Sequence, residues 1–291
     1  MFFQKNRVFS YLFIFLCLFA LLGLTEKVSD DVQMVQVPDG PFTMGASEAN
    51  IEAVAELCRK FDLPCKAEHF AKEGPARQVE VPTFRIDRFE VSLEQFAAFL
   101  NENGNLCGPE PCLHDAGKEG NVFEENGVWK VKPGFGNLAA TDVSYHGAKL
   151  YCEKKGKSLP TEAQWEKAAR GIDGQVFPWG DDWQVGGNFC DQSCKHSWSV
   201  HHARRDASVT TINDGFAGAA PVTAFEKFES PNGIRNMAGN AWEWTSDTDN
   251  RGRHILKGGG FTGSPVAMRT FGRFIEGPGL SVGARGFRCV K

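Results

Sequence analysis

Apolar residues recur at helical spacing in a few short stretches of this chain, and these stretches carry their own start signals. Ser47 can cap a helix that runs from about Glu48 to Lys60. In the stretch EVSLEQFAAFLNENG, Ser92 and Gln95 form a capping box. Its apolar positions lie on one helical face: Leu93, Phe96, Phe99 and Leu100. The pattern predicts two helices in the first third of the chain.

Two further helices are predicted between residues 144 and 171. The stretch SYHGAKLYCEKKG predicts a helix from Ser144 that ends at Gly156, a residue suited to helix C-termini. In LPTEAQWEKAARG, Thr161 and Gln164 form a second capping box, and the helix stops at Gly171. From about residue 172 onward the pattern indicates short strands and turns. With 32 glycines and 14 prolines, the chain is predicted to be a loop-rich α+β domain.

The N-terminal segment is predicted to lie outside the folded domain. Lys5 and Arg7 precede the uncharged apolar run 8–24, which is the layout of a secretory signal peptide over residues 1–25. The run is also nearly long enough to remain as an uncleaved membrane anchor with its basic end inside. Either alternative places the body of the protein outside the cytoplasm, in the periplasm or secreted. The folded domain is expected over residues 34–291.

Composition excludes one class of partner. The chain has 291 residues, of which 42% are hydrophobic and 23% charged, values typical of a globular protein with a sizeable core. Its net charge is −4, and no run of lysines or arginines forms a basic patch. Nucleic acid is therefore not an expected partner.

The cysteines suggest disulfides. Setting Cys17 aside leaves eight of the nine, an even number in an oxidising compartment. Six fall into close pairs: Cys58 with Cys65, Cys107 with Cys112, and Cys190 with Cys194. The last pair is followed by His196, His201 and His202 and can also be drawn as a zinc site, but its spacing fits no common zinc pattern. Local disulfides are the favoured interpretation.

The stretch HILKGGGFTGSPVAMRTFGRF, residues 254–274, matches Gly-x-Gly-x-x-Gly at Gly258, Gly260 and Gly263. A dinucleotide site of this type needs a strand before the glycines and a helix after them. Residues 254–257 can form the strand. The residues that follow Gly263 are poor helix formers, so this stretch is not predicted to bind a dinucleotide.

Seven motifs in order give the chain a family resemblance. They are MVQVPDGPFTMG (34–45), EGPARQVEVPTFRIDRFEVSLEQFAAFL (73–100), KKGKSLPTEAQWEKAARG (154–171), FPWG (177–180), NGIRNMAGNAWEWTSD (232–247), LKGGGF (256–261) and GARGFRCV (283–290). Together they resemble the formylglycine-generating enzymes, also called sulfatase-modifying factors, over residues 34–291. The resemblance implies a C-type-lectin-like fold with little regular secondary structure. Because such folds join a helix to the final strand, it also implies a Cys152–Cys289 disulfide.

The family's copper chemistry is not expected here. Its enzymes are thought to hold copper(I) with two cysteines five residues apart, after the Lys-Gly-Gly turn, and soft thiolates do select copper(I). In an alignment on LKGGGF, those positions are Gly263 and Met268. Gly260 stands where the family usually has a serine in the turn. The pair Cys107 and Cys112 has the right spacing but is favoured as a local disulfide. The sequence therefore predicts a degenerate oxidase site.

Calcium is the cofactor that the resemblance still implies, at two sites. The first set of ligands is Asn188, Phe189, Asp214 and Phe216, and the second is Asn236, Gly239, Ala241 and Glu243. Carboxylate, amide and backbone carbonyl oxygens suit a hard cation such as Ca²⁺. The alternative for Asp214 is a turn residue that bonds its own backbone.

Trp242, Arg269 and Arg273 are candidates for lining a binding groove. The favoured function is a calcium-stabilised binding or assembly module of the cell envelope, which recognises a protein or small-molecule ligand. The alternative is an oxidoreductase or maturation enzyme of another type, since the family includes members implied in siderophore maturation and sulfur oxidation. Formylglycine generation on sulfatases is the least favoured function.

Overall fold

The computed structural model describes residues 33–63, 65–114, 120–193, 211–277 and 283–291. The signal or anchor segment predicted over residues 1–25 lies outside these ranges, and so do Cys194 and the three histidines that follow it. Across the described ranges, no helix is both long and apolar enough to cross a membrane.

Four α-helices form where the apolar pattern and the capping residues predict them. They are α1 (Glu48–Lys60), α2 (Leu93–Asn103), α3 (Tyr145–Lys154) and α4 (Glu162–Arg170). Ser92 and Thr161 each accept the backbone N–H three residues on, in the predicted capping boxes. Gly171 ends α4 with a φ of 66°, a left-handed conformation that costs glycine little. The predicted starts and ends are confirmed because these signals are local.

The strands are short. They are β1 (Met34–Val37), β2 (Gly40–Met44), β3 (Arg77–Val81), β4 (Phe84–Asp87), β5 (Leu106–Cys107), β6 (Glu110–Pro111), β7 (Val122–Glu125), β8 (Val128–Val131), β9 (Trp242–Thr248), β10 (His254–Lys257), β11 (Phe274–Glu276) and β12 (Arg285–Gly286). The largest sheet has the order β11-β10-β9-β12, with β12 parallel to β9 and the other pairs antiparallel. The remaining strands pair as β1 with β4, β2 with β3, β5 with β6 and β7 with β8. The α+β, loop-rich prediction is confirmed.

The C-terminal segment pairs with β4 and with the segment between α3 and α4. The N–H of Arg85 donates to the carbonyl of Lys291 at 2.8 Å, and Val290 bridges both Ile86 and Ser158. Cys152 on α3 is bonded to Cys289, as predicted. Sequence-distant segments are thus joined covalently and by backbone pairing.

Two of the predicted local disulfides, Cys58–Cys65 and Cys107–Cys112, are also present. Cys190 is disulfide-bonded as well, while Cys194 lies outside the described residues. All seven cysteines in the described ranges are therefore oxidised, and none of these seven is a free thiol.

In the described ranges, the buried apolar residues form three clusters. The predicted face of α2 lies in the first, with Phe96 fully buried against Tyr151 and Phe287. The second joins α1 to Phe189 and Met268, and the third surrounds Trp165. The loops that hold the predicted site residues contribute to two of these clusters, with Phe189 and Ala238 in the second and Met237 in the third.

Candidate functional site

Three loops that are far apart in the sequence meet in one packed unit. They contain residues 187–190, 236–241 and 258–263. They therefore combine part of each predicted calcium set with residues 258–263, which we call the degenerate turn. Four backbone hydrogen bonds join them: Gly239 N–H to Gly258 O (2.8 Å), Asn240 N–H to Asn188 O (2.8 Å), Phe261 N–H to Asn240 O (3.0 Å) and Cys190 N–H to Gly263 O (2.7 Å). The structure therefore brings together groups that the sequence separates.

Glycines allow this close approach. A Cβ on Gly239 would lie 2.4 Å from the carbonyl oxygen of Asn188, and a Cβ on Gly187 would lie 2.2 Å from that of Ala238. Both distances are shorter than real contacts permit, and Gly239 also has a φ of 78°. These two positions require glycine for packing, whatever the chemistry of the site.

Neighbouring residues occupy the space that the missing side chains of the degenerate turn would take. A Cβ on Gly260 would lie 2.7 Å from the Cβ of Ala284 and 3.2 Å from Cδ1 of Trp242. A Cβ on Gly263 would lie 3.2 Å from the Cβ of Ala267. A serine at 260 would therefore require its neighbours to move, whereas a cysteine at 263 needs only a small adjustment.

Met268 lies inside the fold. It ends a 3-10 turn, Pro265–Met268, is fully buried, and belongs to the apolar cluster that contains Phe189 and Phe271. Its sulfur approaches Gly187, at 3.0 Å from the position of an added Cβ. The thioether that replaces the second family cysteine serves as a packing group.

The first predicted calcium set is centred on Asp214. Its carboxylate accepts the N–H groups of Phe189 and Phe216, both at 2.9 Å. The fully buried Asp191 accepts the N–H of Asp214 at 2.6 Å. Burial raises the pKa of Asp214 to about 6, and the charge of Asp191 adds to the effect. The buried Oδ1 of Asn188 has no hydrogen-bond donor among the described residues.

These features fit a cation at the first set. Two neighbouring carboxylates repel one another when both are ionised, and a bound Ca²⁺ would offset that repulsion. Across the described ranges, no three His, Cys, Asp or Glu side chains are grouped so that they could hold a metal by themselves. A cation here would therefore depend on amide and backbone oxygens as well as on Asp214.

The second set does not fit calcium through its carboxylate. Glu243 is fully buried, and its oxygens accept hydrogen bonds from Nε and Nη2 of Arg288, each at 2.7 Å. Oε2 also accepts the indole N–H of Trp165 at 2.7 Å. With three donors already in place, Glu243 acts as the partner of a buried guanidinium.

Sequence reasoning missed Glu90, which is buried beside this second set. Its two oxygens accept the side-chain N–H groups of Asn236 and Asn240, both at 2.8 Å. Burial raises the pKa of Glu90 to about 8; Arg288 opposes this effect and Glu243 adds to it. The partners lie 146 and 150 residues away, so no local pattern could have indicated the contact.

Of the groove candidates, Trp242 lies beside the degenerate turn. It is half-buried, it packs against Gly260, and its ring lies 5.4 Å from that of Phe274. Arg285 lies over the other ring of this pair, with its guanidinium carbon 5.4 Å from the centre of Phe274. An aromatic surface thus borders the turn.

The two arginine candidates lie elsewhere. Arg269 is buried, and both oxygens of Glu73 accept its guanidinium N–H groups, so it supports the interior and lines no open groove. Arg273 is partly exposed and its Nε lies 2.7 Å from Glu162. Arg273 lines a small polar cavity of about 70 Å³ on that side of α4.

Comparison with known proteins shows which family the chain belongs to. Residues 22–291 match the sulfatase-modifying factor enzyme 1-like domain family. The chain belongs to this family. It is 31% identical over 308 residues to the formylglycine-generating enzyme of Thermomonospora curvata, covering 88% of this chain and 92% of that protein. It is 32% identical over 250 residues to the bovine formylglycine-generating enzyme, covering 76% of this chain but only 59% of the relative's length.

A third relative has a different name. The mouse protein called inactive C-alpha-formylglycine-generating enzyme 2 is 30% identical over 246 residues, covering 76% of this chain and 70% of that protein. Two solved structures share the fold. PvdO from Pseudomonas aeruginosa has a TM-score of 0.59 at 20% identity and covers 88% of this chain and 93% of its own. CarF has a TM-score of 0.55 at 18% identity, and the match covers 89% of this chain and 97% of CarF.

Proposed function

We propose that this protein is an exported binding or assembly module that keeps the fold of the formylglycine-generating enzymes without their copper chemistry. The observation that carries the proposal is the state of the two degenerate positions. Gly263 has no side chain, and the thioether of Met268 is sealed in an apolar cluster. The resemblance implies that oxygen activation needs a pair of thiolates here, and copper(I) prefers such soft ligands.

The other cysteines do not replace the missing pair. Cys107 and Cys112 have the family spacing but are joined in a disulfide. The remaining five cysteines of the described ranges are also disulfide-bonded. A disulfide sulfur is no thiolate, so these residues offer no copper ligand. The oxidised cysteines also support export, because disulfides persist mainly in oxidising compartments.

One relative is consistent with a family member that lacks the reaction. The mouse protein named inactive C-alpha-formylglycine-generating enzyme 2 is similar in sequence to this chain, as are relatives named as the enzyme itself. A fold that persists without its reaction is a scaffold for other sites. The aromatic surface formed by Trp242 and Phe274 beside the turn is where we place ligand contact.

Calcium is part of the proposal at the first set only. Asp191 and the orphaned Oδ1 of Asn188 supply buried oxygens for a hard cation, and the partly buried Asp214 adds a second carboxylate. When bound, Ca²⁺ would neutralise the two carboxylates and fix the loop that carries Cys190 against the turn. At the second set Arg288 already provides the compensating charge.

The central test is an assay for formylglycine. The mature protein is incubated with a peptide containing Cys-x-Pro-x-Arg, copper and a reductant, and the peptide is then examined by mass spectrometry. We expect no conversion, while the Thermomonospora curvata relative run in parallel shows that the conditions suffice. Conversion by the unmodified protein would show that it is an oxidase and would refute the proposal.

A double variant tests whether the missing thiols explain the expected loss of copper binding. Gly263→Cys with Met268→Cys restores the two thiols, and Gly263→Ser with Met268→Ser is the matched control. We expect copper(I) binding by the cysteine variant alone, without turnover, because Ala284 and Trp242 occupy the space of a serine at 260. Metal analysis of the purified proteins reads the binding separately from the reaction. Equal copper content in the two variants would contradict the assignment of these positions.

A further inference from the structure

A groove separate from the three loops lies between α1 and the segment 176–183. Its volume is about 400 Å³. The helix on one side lies between the sequence stretches 34–45 and 73–100, which carry the family resemblance, and so is outside those motifs. The groove uses no residue of the degenerate turn.

The walls of the groove are fixed before any ligand binds. The Cys58–Cys65 disulfide ties the end of α1 to the segment that follows it. On the other side, Oδ1 of Asp181 accepts the N–H of Val176 at 3.0 Å. Trp183 is held edge-on against Phe61, with ring centres 4.9 Å apart. A preformed groove binds with a smaller entropy cost than one that must be ordered.

The floor and rim of the groove differ in chemistry. Val54, Leu57 and Phe177 are buried apolar residues that line the floor. The exposed rim carries three carboxylates and one ammonium group: Glu56, Asp181, Asp182 and Lys60. The rim is therefore net negative, and an occupant that is complementary to the groove has an apolar portion and a positive charge.

Two features of Trp183 define the occupant further. The ammonium of Lys60 lies 5.9 Å from the ring centre of Trp183, so this wall already has a cation over its indole face. The indole N–H of Trp183 is buried and has no acceptor among the described residues. An unmet buried donor is costly, and a ligand carbonyl that reached it would remove that cost. A peptide bond supplies such a carbonyl, and a simple amine does not.

We propose that the groove binds an extended basic segment of a partner protein. An apolar side chain of the segment lies on Leu57 and Phe177, and a neighbouring lysine or arginine lies between Glu56 and Asp182. A backbone carbonyl of the segment accepts the indole N–H of Trp183. Lys60 adds a positive charge to the rim and so limits the affinity.

The probe is a fluorescein-labelled peptide, Ala-Leu-Lys-Leu-Arg-Ala, titrated with the mature protein in fluorescence anisotropy at physiological salt. The same peptide with norleucine and citrulline in place of lysine and arginine measures the charge contribution. We expect the neutral peptide to bind about tenfold more weakly, because the rim charges act in partly exposed positions. Lysine amide tests a small cation that lacks the apolar portion.

Variants locate the binding. Glu56→Gln with Asp182→Asn should weaken binding of the basic peptide about tenfold, and Lys60→Glu should strengthen it severalfold. Trp183→Phe keeps an aromatic wall, removes the N–H and should weaken binding of both peptides. The matched control, Glu102→Gln with Glu124→Gln, removes the same charge from exposed positions outside the groove and should leave the affinity unchanged. Thermal melts confirm that each variant is folded.

Three results would overturn the proposal. The first is the absence of saturable binding by the basic peptide. The second is an equal loss in the groove variant and in its matched control, which would indicate general attraction to an acidic protein. The third is lysine amide binding as tightly as the peptide, which would make the groove a site for small cations.

Discussion

The Cys152–Cys289 disulfide should contribute more stability than any local pair. It closes a loop with a sequence separation of 137, whereas Cys107–Cys112 closes one of 5. All four cysteines are buried in the same apolar cluster, so the loss of each sulfur pair leaves similar packing defects. Alanine replacement of each pair therefore isolates the effect of loop length.

The difference follows from loop entropy in the unfolded chain. The chain-entropy relation gives about 5 kcal/mol for the long loop and about 2 kcal/mol for the short one. The expected gap of about 3 kcal/mol is a large part of the stability of an ordinary domain. For a domain of this size, a loss of 5 kcal/mol lowers the melting temperature by about 10–20 °C.

Urea denaturation of three oxidised proteins provides the measurement: the wild type, Cys152→Ala with Cys289→Ala, and Cys107→Ala with Cys112→Ala. The midpoints and slopes give the free energy of unfolding of each. The reasoning is refuted if the two double variants lose the same free energy. A free thiol at Cys152 or Cys289 in peptide maps of the wild type would refute the pairing itself.

Three further predictions concern single residues. If Asp214 holds calcium, excess chelator should lower the melting temperature of the wild type and leave that of Asp214→Ala largely unaffected. Calcium at a hundredfold excess over Kd would stabilise the wild type by about 2.7 kcal/mol. Equal shifts in the two proteins would argue against the site. Burial, and secondly His146, lowers the pKa of His254 to about 4 from 6.5. The unfolded chain therefore binds this proton first, and stability should fall by about 1–2 kcal/mol, after allowance for solvent screening, between pH 6.5 and 4. Between pH 6.5 and 4, the urea midpoint should change less with pH in His254→Phe than in the wild type. An equal change in the two proteins would contradict the assignment to His254. Glu243→Gln removes the carboxylate that is paired with the buried Arg288 and should cost about 3–5 kcal/mol in urea denaturation. A loss below about 1 kcal/mol would contradict the assignment of Glu243 as the main partner of Arg288.

The sequence by itself determined the elements whose signals are local. A capping serine or threonine, an apolar face and, for α4, a terminal glycine lie within one or two turns of the helix. The bounds of α1 and α4 could therefore be predicted without tertiary information. The close cysteine pairs were predictable for the same reason. The pairing of Cys152 with Cys289 came from the family resemblance, because nothing local links the two residues.

Only the tertiary structure decided how the site is built. Arg269 finds its carboxylate partner 196 residues away in Glu73, and the amide of Asn236 bonds Glu90 across 146 residues. Such pairs leave no periodicity, since neither residue constrains its own neighbours. The sequence shows that Gly260 lacks a side chain, but only the folded chain shows that Ala284 has filled its place. Close packing in a protein interior is set by groups that converge from distant segments, and that convergence is what the local pattern does not contain.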